Sequence, residues 1–395
     1  MKKILLIIGL LISFNTAHAA ESLSFIYING SNNNDAKMKN WYENGVKKLH
    51  PALRKRFLKN KSIRNFYAHR GAMTIKEEPV IFFWGYDSKN DLEYVKKQLE
   101  ISKMVSSSGA YLVRNLITQF LHDAIWVQKS HNMLPILDEL NKKVIEESKQ
   151  GNSVVLYGYS AGTFVTYEYL FNKLRYINLA HLFAALNADE ELMKFIKDNP
   201  KHDTCLSAIS AENAGLGTLT SAGHILLNPN MESLKNNYQK LDEITELTCA
   251  PNGKVFGVVN FASPLPLFYS DIADPNYELN YYNKLMAKYI LENEIYFLTV
   301  NFKEDPLGFP TSRNLTIKDI EERLDIKIDN PKGVIYDNSG IWSKRMFPFA
   351  HTAYWNAKGT FSKAIVKTLV NGHKFQYNEK YQQKILKLNN KKSEL

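Results

Sequence analysis

The pentapeptide Gly158-Tyr159-Ser160-Ala161-Gly162 has the form G-x-S-x-G. A serine with glycines two before and two after it fits a sharp strand-to-helix turn. The glycines leave room for the strand and helix to pack closely, and the turn holds the hydroxyl clear of the backbone. Ser160 is thereby a candidate nucleophile. The Ala161 N–H, at the start of the following helix, points where negative charge develops on an attacked carbonyl oxygen. The bland alternative is a turn serine between two glycines.

A serine hydroxyl is a weak nucleophile and needs a base, with an acid to orient that base. His351 stands in Phe349-Ala350-His351-Thr352-Ala353-Tyr354-Trp355, after the last apolar strand and before the last long helix. It is the favoured base. The other histidines lie earlier, in a central irregular stretch or in the tail. Asp305, in Asn301-Phe302-Lys303-Glu304-Asp305-Pro306, follows an apolar strand and precedes a proline that fixes the loop. It is the favoured acid, with Asp337 second and Glu304 third. A second oxyanion donor is expected from Asn29-Gly30-Ser31, through an N–H near Gly30 or Ser31; otherwise these residues form a plain turn.

These residues must be held by a regular frame. Apolar, β-branched and aromatic runs at 23–28, 79–85, 152–158, 255–261, 295–301 and 334–336 read as buried strands. Helical periodicity separates them at 35–49, 112–124, 134–151, from about 161, 277–293, 317–325 and 360–371. Residues 51–78 read as basic and irregular. Alternating strands and helices predict an α/β fold, a mostly parallel sheet with helices on both faces. Residues 187–250 break the alternation and read as an insertion. Residues 374–395 are polar and read as a surface helix or frayed tail.

The 395-residue chain is 45% hydrophobic and 23% charged, enough to bury a core and against a mainly disordered chain. Lys2 and Lys3, an apolar run from Ile4 to Phe14, and Ala17-His18-Ala19 form a secretory signal, with residues 1–19 removed. The apolar run is shorter than the roughly 20 residues that span a bilayer. Export to the periplasm or beyond makes Cys205 and Cys249 most simply a disulfide, worth about 4 kcal/mol in a chain-entropy description. No metal is expected: there is no H-E-x-x-H, and the cysteines lack zinc spacing. No cofactor fingerprint follows a strand. The formal charge of +10 loses two units with the signal. No nucleic-acid motif accompanies the excess. A lysine-rich solvated surface accounts for it, with peripheral contact to anionic lipid as the functional alternative.

Four local pieces resemble the α/β-hydrolase superfamily, and within it the lipase and esterase branch. The turn Leu156–Gly162 is specific to the superfamily. Val258-Val259-Asn260-Phe261-Ala262-Ser263-Pro264 is similar to the strand ending in Gly-Ser-Pro of class 3 lipases, with Ala262 where glycine is usual. Asp305-Pro306 and the His351 loop are similar to their acid and histidine loops. The resemblance implies an α/β-hydrolase-like sheet; the 187–250 insertion has no counterpart in it and reads as a cap or lid above the sheet. It also implies an ester or lipid substrate cleaved by Ser160, His351 and Asp305 through an acyl-enzyme. An acyltransferase, a peptidase, or a non-catalytic binding protein on the same frame remain the alternatives.

Overall fold

A computed structural model describes residues 22–31, 36–67, 74–85, 122–123, 125–127, 130–170, 255–268, 284–292, 294–311, 314–324, 327–343 and 349–393, with Tyr94, Lys97 and Arg345 as single positions. Residues 1–19, expected to be an export signal, residues 187–250, expected to be an insertion, and Cys205 and Cys249 lie outside these residues.

In chain order the elements are β1 (Ser22–Ile28), α1 (Ala36–Lys59), α2 (Lys61–Tyr67), β2 (Thr74–Ile75), β3 (Val80–Phe82), α3 (Ser130–Lys149) and β4 (Asn152–Tyr159). Then come α4 (residues 162–170), β5 (Val255–Phe261), α5 (Leu265–Phe268), α6 (Lys284–Glu292), β6 (Tyr296–Phe302) and α7 (Ile317–Leu324). The chain closes with β7 (Val334–Ile341), α8 (Ala353–Asn356), α9 (Lys358–Tyr377) and α10 (Glu379–Ser393). All strand pairings are parallel. β2 and β3 share one side of β1, and β4, β5, β6 and β7 follow on the other.

The period of two along β4 fills both faces. Val154 and Leu156 enter the core under α3, α4, α6 and α7. Val155 and Tyr157 enter the one under α1, α8 and α9. Successive strand side chains point to opposite faces, so an uninterrupted apolar strand requires two covering layers.

Residues 51–67 correct the sequence reading. α1 runs through Pro51 to Lys59, and α2 follows, where irregular chain was expected. A proline inside a helix removes one hydrogen bond. Tyr42, Val46, Leu49, Leu53 and Phe57 are nevertheless all buried at helical spacing, and that stripe outweighs the lost bond. The tail forms α10, where Lys380, Lys384 and Lys387 are exposed, as on a surface helix. β7 is longer than expected, so Asp337 lies within the strand rather than after it.

The connections leave β1 toward β2 and β3 on one side, and β4 begins the other side. Such a reversal opens a crevice at the carboxyl ends of the two flanking strands. Gly30 follows β1 and Ser160 follows β4.

Candidate active site

Ser160 directly follows β4 and has φ +52°, the left-handed region that a side chain rarely adopts. Its N–H donates to the Phe261 carbonyl of β5 at 3.0 Å. Its own carbonyl accepts from the Thr163 N–H at 3.0 Å and the Thr163 hydroxyl at 2.7 Å. The strained turn is therefore fixed on both sides.

The flanking glycines are required sterically. A Cβ on Gly162 would lie 2.4 Å from the Asn29 carbonyl oxygen and 2.6 Å from that of Ile28. A Cβ on Gly158 would lie 2.8 Å from Asn260 Oδ1 and 2.9 Å from Thr166. α4 thus descends onto the end of β1 with no side chain between. Ala161 precedes α4, and its N–H is among those a helix start cannot satisfy internally.

Gly30 lies against Ser160: a Cβ there would be 2.8 Å from Ser160 Cβ. Ser31 follows it, half-buried. The loop is pinned by Asn29, a fully buried side chain at the end of β1. Asn29 Nδ2 donates to the Gly30 and Trp84 carbonyls, both at 3.0 Å. Asn29 Oδ1 accepts from the Trp84 N–H at 2.8 Å, and the Asn29 carbonyl accepts from Trp84 Nε1 at 2.7 Å.

His351 Nε2 stands 3.0 Å from Ser160 Oγ, and His351 Nδ1 stands 2.9 Å from Asp305 Oδ1 and 3.2 Å from Oδ2. All three residues are buried, and the Asp305 side chain has no exposed surface. Asp305 Oδ1 also accepts from the Leu307 N–H at 2.9 Å, and Oδ2 accepts from the Tyr354 hydroxyl at 2.7 Å. The Tyr159 hydroxyl donates to the His351 carbonyl at 3.0 Å. Burial pushes the phenols of Tyr159 and Tyr354 well above their ordinary range, and the Asp305 charge adds to this.

The second and third acid candidates are engaged elsewhere. Asp337 accepts from the N–H and hydroxyl of both Thr311 and Ser339. Desolvation pushes its carboxyl up to about 6 in spite of these bonds. Glu304 Oε2 accepts from the Ser343 N–H at 2.7 Å. His50, passed over as a base, is buried between the Tyr27 hydroxyl and the Lys76 carbonyl. Desolvation lowers its pKa.

The sequence reading missed Asn29 as a staple and the hydroxyls of Tyr159 and Tyr354. A polar residue closing an apolar strand was the available signal for Asn29. The tyrosines gave none, because buried aromatic residues read as core.

Loops after parallel strands all emerge at one edge of the sheet. Leu267 after β5, Trp342 after β7, and Phe349 two residues before His351 are exposed on that edge, at 53%, 69% and 64%. Lys303 Nζ lies 4.3 Å from the centroid of the Trp342 ring. No family model, curated protein or solved structure matches the chain.

Proposed function

We propose that this chain is a secreted serine carboxylester hydrolase with an α/β-hydrolase-like frame, whose 187–250 segment serves as cap or lid. One observation carries the reading: Ser160 Oγ, the His351 ring and the Asp305 carboxylate form one hydrogen-bonded line. Asp305 is an acceptor, so His351 carries its proton on Nδ1 and leaves Nε2 bare toward the serine. In the proposed reaction Nε2 takes the Ser160 proton as Oγ attacks the ester carbonyl. The imidazolium, held by Asp305, then protonates the leaving alcohol. Water attacks the acyl-enzyme by the reverse transfers. The Ala161 N–H, with one near Gly30 or Ser31, stabilises the oxyanion; one such donor is worth roughly 3 kcal/mol.

The exposed Leu267, Trp342 and Phe349 support an ester presented in lipid, and Lys303 at the same edge suits an anionic headgroup. A fluorophosphonate probe tests the chemistry. It is expected to label the folded mature protein on Ser160, with Ser160→Ala unlabelled. Persistent labelling of the variant, or a folded wild type left unlabelled, overturns the reading. A panel of esters of increasing acyl length, with amides and alcohol acceptors beside it, then separates esterase and lipase from peptidase and acyltransferase.

A further inference from the structure

Tyr354 sits three residues after His351, at the second position of α8. Its hydroxyl oxygen accepts the Phe302 N–H at 2.9 Å. A phenol has one proton, and with its acceptor side occupied by an N–H that proton is directed to Asp305 Oδ2, 2.7 Å away. The ring stacks on Phe302 at 4.2 Å between centroids, so the hydroxyl cannot swing away. Tyr159 holds the other partner. Its ring lies 5.5 Å from the imidazole, and its hydroxyl fixes the His351 carbonyl.

We infer that Tyr354 is a positioning residue that aims the Asp305 carboxylate at His351 and tempers its charge, while Tyr159 holds the His351 backbone in register. The inference rests on Ser160 being the nucleophile. A hydrogen bond donated to a carboxylate spreads its charge and weakens its pull on the imidazolium. Removing the Tyr354 hydroxyl therefore makes His351 more basic and frees the carboxylate to rotate. Among the described residues, the titratable side chains that face the pair include Tyr159 from β4 and Tyr354 from α8, both kept protonated by burial while a histidine titrates. Lys303 and Glu304, beside Asp305 in the chain, turn to Trp342 and Ser343.

The test is the pH profile of fluorophosphonate labelling, and of kcat/KM on an activated ester, for the mature protein and two variants. For Tyr354→Phe the acidic limb is expected to move up by roughly half a unit to one unit. Its kcat should fall about ten- to a hundredfold, the span of one hydrogen bond to a charged group. For Tyr159→Phe, which loses a bond to a neutral carbonyl, the fall is about tenfold or less, with the limb unmoved. A limb unmoved in Tyr354→Phe leaves only a structural role and overturns the inference. Tyr354→Phe also orphans the Phe302 N–H and could fold poorly. 3-Fluorotyrosine at position 354 keeps the hydroxyl and makes it a stronger donor. It must move the limb down, and an unmoved or raised limb overturns the inference equally. Wild-type labelling separates the two failures: its absence removes the serine-hydrolase reading, whereas labelling with unmoved limbs removes only the role of Tyr354.

Discussion

On one face of the sheet the strands present mainly aliphatic side chains, Ile26, Ile28, Val154, Leu156 and Val258 beside Phe82 and Phe297, to α3, α4, α6 and α7. On the other they present Phe25, Tyr27, Tyr157, Phe261, Tyr296 and Phe302 to α1, α8 and α9. The aliphatic face lets a helix reach bare backbone, as α4 does through Gly162 against the carbonyls of Ile28 and Asn29. The aromatic face interposes side chains. Gly45 of α1 meets the Trp355 ring, and Gly372 of α9 meets Val334 and Tyr336. The site draws on both. Ser160 and the Ala161 N–H are placed by backbone contact, which permits almost no adjustment. His351 and Asp305 are placed by the hydroxyls of an aromatic layer, where one oxygen can be removed while the ring stays.

Gly162→Ala attacks that contrast hardest. The new methyl meets two backbone oxygens at 2.4 and 2.6 Å, and they can retreat only by moving the end of β1. The expected loss of stability exceeds the roughly 1–3 kcal/mol usual for overpacking, and labelling of Ser160 should vanish with it. At Gly45 the nearest atoms belong to the Trp355 side chain rather than to backbone, and the cost should be smaller. Urea denaturation of both variants decides. Equal costs would mean that the backbone contact under α4 is not the rigid element described.

The same contrast explains what the sequence could and could not disclose. Uninterrupted apolar runs made the strands legible, because a strand buried on both faces leaves no other pattern. Ser160, Asp305 and His351 were legible because each follows a strand and their chain order suits the chemistry; the structure brings all three into one line. Asp337 competes in the sequence because the apolar run ends at Tyr336, but β7 continues to Ile341 and Thr311 and Ser339 hold its carboxylate. Pro51 hid the second half of α1, since a local breaker outweighs a buried stripe until the partners of that stripe are known. Ala262, where the resemblance has glycine, has φ +53°, so its backbone adopts the conformation glycine favours despite the side chain. The Tyr354 and Tyr159 hydroxyls were invisible because their partners are 49 and 192 residues away in the chain.

Asp337 sharpens the comparison next. It is a carboxyl enclosed by neutral donors, whereas Asp305 faces an imidazole. Its ordinary pKa of 3.8 rises to about 6 in the folded state. The folded protein then holds a proton that the unfolded chain has released, so stability falls as pH rises from about 4 to about 6. The stability difference between wild type and Asp337→Asn should therefore change by about 2–3 kcal/mol between pH 4 and pH 7, whatever its constant offset. Urea titrations at the two pH values measure it. A difference independent of pH would show that the hydrogen bonds from Thr311 and Ser339 fully offset desolvation.

The smallest expected effect carries the opposite sign. Gly359 is the second residue of α9, exposed, with nothing within 4 Å of a Cβ placed there. Its carbonyl accepts from Arg56 Nη2 at 3.0 Å, and a side chain leaves that oxygen untouched. Gly359→Ala therefore adds the same methyl as Gly162→Ala but meets no atom. It removes the excess backbone freedom of the unfolded chain and should stabilise by about 0.5 kcal/mol, less than a mid-helix position because the first turn frays. The readout is a raised urea midpoint at unchanged slope, with labelling of Ser160 as in the wild type. A loss of stability would mean that the start of α9 is not the open helical turn described. It would also mean that the opposite signs expected at Gly162 and Gly359 do not follow from what each helix start touches.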